Sequence, residues 1–242
     1  MRARSFAAIG VYAAVLASSV VAMAFQIEEA TIDGIHAAMR AGEITSARLV
    51  DVYRERIDAI DRNGPQLNSV LGLNADASAR AAELDADLER TGELSGPLHG
   101  IPVLVKDCVE TSGIPTTFGS EAIVDYVPER DAVTVRKLRE AGAVILGKTT
   151  LPDFATSWFS FSSLSGETKN PFDLDRYPGG SSAGTAASVA ANLAAVGIGT
   201  DCGCSIRLPS SFCGLVGIRS TPGWCPEPDP PTSSSFRTRS GR

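Results

Sequence analysis

Three side chains in this 242-residue sequence have the types needed to make and break a covalent bond together: Lys106, Ser181 and Ser205. A serine hydroxyl is a poor nucleophile until a base removes its proton. Lys106 directly follows the apolar run Ile101-Pro102-Val103-Leu104-Val105, where burial penalises an ammonium and favours the neutral amine that can serve as that base. Ser181 and Ser205 sit in glycine-containing loops, each adjoining a buried segment. A lysine base needs no imidazole, which suits a chain with 2 histidines, His36 and His99. Taken singly, each residue has a plainer explanation. A lysine at a strand end is usually a surface charge, and a Gly/Ser loop before a helix is usually a turn with an N-cap. Spacing alone does not bring the three together.

Other chemistries are less well supplied. Gly142-Ala143-Val144-Ile145-Leu146-Gly147-Lys148-Thr149 matches the phosphate-loop expression GxxxxGK[ST]. That motif needs a strand, then a flexible cradle, then a helix starting at the lysine; here the four middle residues read as the strand itself, and Leu151-Pro152-Asp153 stands where the helix should begin. The Gly/Ser loop contains no GxSxG elbow. The 5 cysteines, Cys108, Cys202, Cys204, Cys213 and Cys225, lack the paired spacing of a structural zinc site, and an odd number leaves at least one thiol without an intrachain partner. No metal or organic cofactor is expected. The formal charge of −6, from 22 basic and 28 acidic residues with no basic cluster, leaves no electrostatic footprint for nucleic acid.

The elements that must position these residues alternate. Thr31 can cap a short helix, and Thr45 or Ser46 a second on which Leu49, Tyr53, Ile57 and Ile60 share a face. A third helix is expected near residues 74–90. The runs at 101–105, 143–146 and 194–198 read as strands buried on both faces, separated by a helix near 131–140 and an Ala-rich helix running from the Gly/Ser loop to about Leu193. This pattern predicts an α/β fold, a layered, mixed and mostly parallel sheet flanked by helices.

Both ends differ from the middle. Arg2 and Arg4 precede an apolar, small-residue stretch, and Ala22-Met23-Ala24 supplies the A-x-A pattern of a cleaved secretory signal. Residues 1–24 are therefore excluded from the fold, and the chain is expected to be exported, periplasmic or extracellular, with no membrane attachment after cleavage. The competing reading is an uncleaved anchor over residues 6–25, just long enough to span a bilayer. Residues 222–231 hold five of the 14 prolines, and 232–242 is rich in Ser, Thr and Arg; such a segment buries too little surface to offset its ordering entropy and is expected to be disordered. The folded part is thus 25–221.

Four stretches carry a resemblance. Pro178-Gly179-Gly180-Ser181-Ser182-Ala183-Gly184-Thr185-Ala186-Ala187, then residues 199–207 (Gly-Thr-Asp-Cys-Gly-Cys-Ser-Ile-Arg), then Phe212-Cys213-Gly214-Leu215-Val216-Gly217 resemble the amidase signature family of hydrolases. Gly96-Pro97-Leu98-His99-Gly100-Ile101-Pro102-Val103-Leu104-Val105-Lys106-Asp107 is similar to the segment bearing that family's catalytic lysine. The resemblance runs from about Ile27 to Thr221. It implies cleavage of a carbon–nitrogen bond in a small-molecule amide through an acyl-enzyme. Ser205 would be the nucleophile, Ser181 a bridging serine held by an unusual cis peptide, Ser182 a supporting residue, and Lys106 the base. The backbone amides of Cys202, Gly203, Cys204 and Ser205 would form the oxyanion hole. The glutaminase component of a transamidation complex shares these motifs, but such work needs charged tRNA in the cytoplasm, against the signal-like N-terminus.

Two departures from the family pattern stand out. Relatives place Gly immediately before the nucleophile, where this chain has Cys204; either that position needs a positive φ or close approach and the side chain strains it, or the loop tolerates a small side chain. Family members also continue well beyond the point matching Thr221, so a truncated, catalytically inactive relative is the alternative reading. Lost neighbours are expected to leave apolar faces and strand edges bare.

Overall fold

The computed structural model describes residues 25–221 and the backbone of residues 233–237. The signal-like segment at 1–24 and the rest of the C-terminal tail lie outside the described residues. No helix among the described residues is long and apolar enough to cross a membrane.

The helices begin where the capping residues predict. Thr31 accepts a hydrogen bond from Gly34 N at the start of α1 (Ile32–Arg40), and Thr45 does the same from Arg48 N for α2 (Ser46–Arg56). A π-helical turn, Ile57–Asn63, extends α2 and keeps Ile57 wholly buried. After β1 (Val70–Leu73), α3 (Ala77–Thr91) buries Ala77, Ala81 and Leu84 and ends at Gly92.

The centre of the molecule is a sheet of three parallel strands, β2 (Pro102–Lys106), β3 (Val144–Thr149) and β6 (Val196–Thr200), every residue of which is buried. β2 lies between the other two, with Lys106 opposite Thr149 and Val103 opposite Val196. The helix α4 (Val133–Glu140) leads into β3, and α5 (Ala183–Ala190) into β6. β4 (Phe161–Ser162) and β5 (Gly166–Glu167) form a separate hairpin between β3 and α5. The large sheet runs in the order β1-β3-β2-β6-β8-β7, with β1 antiparallel to β3, and β8 (Ser233–Arg237) antiparallel to both β6 and β7 (Val216–Gly217). The expected α/β class, mixed with a parallel centre flanked by helices, is the observed one.

Two boundaries moved. Lys106 is the last residue of β2 rather than the first after it, because its backbone continues the ladder opposite Thr149. Ser233–Arg237, inside the stretch expected to be disordered, is a strand. Strand pairing uses main-chain groups that composition does not report, and the edge of β6 offers a row of them.

Packing of α5 over β6 depends on Gly197. A Cβ at Gly197 in β6 would lie 2.5 Å from Thr185 Cγ2 and 2.9 Å from Val189 Cγ2, so its absence lets the helix sit close over the strand. Thr185 Oγ1 is also 2.6 Å from Thr149 Oγ1 of β3. These contacts set α5, and hence the Gly/Ser loop before it, above the C-terminal ends of β2 and β6.

Outside this core, Trp158, Phe159, Phe161 and Phe172 are each more than 60% exposed.

Candidate active site

The C-terminal ends of parallel strands leave backbone groups and loops free to hold reacting side chains, and the three candidate residues converge there. Lys106, wholly buried, points its Nζ at Ser181 Oγ, 2.7 Å away, and at Thr200 Oγ1, 2.8 Å away. Burial pushes its pKa below the ordinary lysine value, against the opposing pull of Cys108, Cys202 and Asp201. The strand end predicted to desolvate the amine does so completely.

Ser181 follows a cis Gly180–Ser181 peptide bond, the geometry the resemblance implied. Ser182 occupies the N-cap position of α5 without capping it. Its hydroxyl instead donates to Thr200 O and accepts from Thr200 N, both at 3.3 Å, and its N–H donates to Ser205 O at 3.1 Å. The Gly/Ser loop is therefore tied to the end of β6 and to the loop beyond it.

That second loop is organised by Asp201, which is fully buried. Its Oδ1 accepts from Cys204 N (2.8 Å), and its Oδ2 from Ile206 N (3.1 Å) and Arg207 N (3.2 Å). Arg207, at the start of α6 (Arg207–Phe212), closes a bidentate pair through Nε at 2.9 Å and Nη2 at 3.0 Å. Burial opposes the charge on Asp201, but the Arg207 guanidinium and these backbone donors outweigh it and hold the carboxyl well below the usual carboxylate range. Trp158 Nε1 donates to Gly203 O at 3.1 Å from outside.

The geometry narrows the expected oxyanion hole. Cys204 N–H is committed to Asp201, whereas the N–H groups of Cys202, Gly203 and Ser205 have no acceptor among the described residues. Cys204 has φ of +78°, so of the two readings of this position it is the one requiring a left-handed backbone that is observed. Ser205 is almost buried, at 9% exposed. Its hydroxyl makes no hydrogen bond among the described residues, so Lys106 and Ser181 are in direct contact while Ser205 joins them through the backbone of Ser182.

Thr200, Asp201 and Arg207 were not singled out from the sequence, although all three lie within the quoted stretch 199–207. Their roles depend on partners that only folding reveals. Lys148, part of the rejected phosphate-loop match, lies inside β3 with no helix starting at it, as that rejection required. Cys108, Cys202, Cys204 and Cys213 are free thiols, and no cluster of three or more His, Cys, Asp or Glu able to hold a metal occurs among the described residues.

Comparison with known proteins agrees with this architecture. The family model described as Amidase matches residues 48–230. The A subunit of glutamyl-tRNA(Gln) amidotransferase from Halorhodospira halophila (strain DSM 244 / SL1) is 43% identical over 197 residues, covering 81% of this chain and 40% of the relative. Its counterpart from Acidothermus cellulolyticus is 44% identical over 188 residues, covering 77% and 36%. Among solved structures, native peptide amidase from Stenotrophomonas maltophilia superposes with a TM-score of 0.82 at 41% identity, covering 86% of this chain and 45% of that one. An amidase family protein from Bacillus anthracis str. Ames gives 0.81 at 30% identity, covering 89% and 47%. The chain thus spans about 40% of the length of the curated relatives it matches.

Proposed function

Since the chain belongs to the Amidase family, whose members cleave or transfer at carbon–nitrogen bonds, we propose that it hydrolyses small-molecule amides through a Lys106–Ser181–Ser205 relay and an acyl-enzyme. The observation that carries this reading is the 2.7 Å contact between Ser181 Oγ and the fully buried Lys106 Nζ. A neutral amine has a lone pair, and burial favours that state.

In the proposed reaction the lone pair of Lys106 takes the Ser181 proton as Ser181 takes the Ser205 proton. The Ser205 oxygen bonds to the carbonyl carbon, and the C=O π pair moves to the oxygen, facing the N–H groups of Cys202, Gly203 and Ser205. Donors of this kind contribute about 3–4 kcal/mol each to transition-state stabilisation where one has been removed. Collapse of the intermediate breaks the C–N bond while the relay returns its proton to the leaving nitrogen, which departs badly as an anion. Water then adds to the ester through the same base and releases the carboxylic acid. The hydroxyl contact between Ser181 and Ser205 is the link that forms with substrate in place, as catalytic hydrogen bonds often do.

A serine-directed fluorophosphonate tests the proposal. The chain is expected to be labelled at Ser205, with labelling lost in Ser205→Ala; no labelling, or labelling that persists in that variant, overturns it.

A second reading, glutamine hydrolysis for transamidation, is favoured by the similarity to the amidotransferase relatives. The proposed export of the chain opposes it. Ammonia release from free glutamine, measured beside a panel of simple amides, separates the two.

A further inference from the structure

A second buried lysine lies one strand away from the first and takes no part in the proposed relay. In the parallel register Lys106 is opposite Thr149 and Val105 opposite Lys148. Side chains alternate along a strand, so Lys106 shares the α5 face with Thr149, and Lys148 belongs to the other. Asp107 continues the ladder by donating its N–H to Thr149 O at 3.1 Å. Its side chain goes to the face opposite Lys106, where Oδ1 comes within 3.8 Å of Lys148 Nζ.

Both charges are spent on the segment immediately after Lys106. Val109 N donates to Lys106 O at 2.9 Å, closing a turn on the lysine's own carbonyl. Lys148 Nζ grips that turn from beneath by donating to Val109 O at 2.7 Å, and holds Thr116 Oγ1 at 2.9 Å and Thr111 Oγ1 at 3.4 Å. Asp107 Oδ2 accepts from Thr117 N at 2.9 Å, Thr117 Oγ1 at 2.5 Å and Gly119 N at 3.4 Å. Asp107 Oδ1 has no hydrogen-bond partner of its own. A buried pair of this kind is weak support for stability, because desolvation offsets its attraction; its better-attested use is to fix one geometry.

We infer that Lys148 and Asp107 are positioning residues for Lys106, clamping the turn after it so that its amine is held buried against Ser181 Oγ. The inference rests on the reading of Lys106 as the base. Burial pulls Lys148 itself down to about 8, against Asp107, Cys108, Glu110 and Asp131, and raises Asp107 against the pull of Lys148 and the Thr117 and Gly119 hydrogen bonds. The charged or titratable groups facing Lys106 are Cys108, Cys202 and Asp201. Releasing the clamp lets the Lys106 amine move toward water, which relieves the burial that lowers its pKa and so raises it.

The test is the rate of fluorophosphonate labelling at Ser205 as a function of pH in the full chain, with thermal melting of each variant. Lys148→Met is expected to slow labelling at least tenfold at neutral pH and to move the acidic limb upward by about one unit. Thr116→Val removes one acceptor of Lys148 with little change in volume and is expected to shift the limb the same way by less. An unshifted limb in whichever of the two melts cooperatively overturns the inference. Absence of labelling in the unsubstituted chain instead overturns the relay on which it rests, so the two failures are distinct.

Discussion

Cys204 and Asp201 are joined by a 2.8 Å hydrogen bond from the Cys204 amide to Asp201 Oδ1, and that bond is made with Cys204 at a φ of +78°. The carboxylate bends the chain back on itself just before Ser205. A side chain at this point sits in a conformation that glycine adopts without cost.

Cys204→Gly is therefore expected to stabilise the chain, by about 1 kcal/mol on the left-handed penalty for residues with a Cβ. The Asp201 hydrogen bond is a main-chain one and survives the change. Thermal melting would read the gain as a rise of several degrees; a lower melting temperature would show that the sulfur contributes packing greater than the strain.

Asp201 anchors the loop before Ser205 through three backbone amides and the Arg207 guanidinium. Its folded pKa is depressed below its ordinary value of 3.8, so the stabilisation it contributes is fully present above that value and is lost as pH falls from it through the folded pKa. Asp201→Asn removes the charge that Arg207 and three backbone amides address, at an expected cost of about 3 kcal/mol at neutral pH. The variant should also lose the part of the acid sensitivity that arises below 3.8, which denaturant titration at several pH values would detect.

For Lys106 the sign is the reverse of the usual lysine case. Its folded pKa is lowered by burial from 10.5, so the neutral amine becomes available at a pH below that value, and labelling of Ser205 should rise with pH along a limb whose midpoint lies under 10.5. Thr200→Val removes an acceptor that favours the ammonium more than the amine, and should move that midpoint further down. An upward movement would mean that Thr200 matters chiefly for keeping water away from the site.

The sequence by itself determined a good deal. Apolar runs at 101–105 and 143–146 announced β2 and β3 because a strand buried on both faces leaves no room for polar alternation, and Thr31 and Thr45 marked helix starts because their hydroxyls satisfy exposed backbone donors. It also put Lys106 at a strand end and Ser181 and Ser205 in loops, and the motif stretches around them carried the family resemblance. Tertiary structure decided what these residues meet. Lys106 Nζ reaches a serine 75 positions away and a threonine 94 positions away, contacts fixed by the parallel register of β2 with β6 and by the seat of α5 on Gly197. The Asp201–Arg207 pair, the commitment of the Cys204 amide and the clamp formed by Lys148 on Val109 are likewise three-dimensional facts. Hydrogen-bond partners follow from the faces a sheet presents and the helices that cover it, and a linear string of residue types encodes those only through the fold.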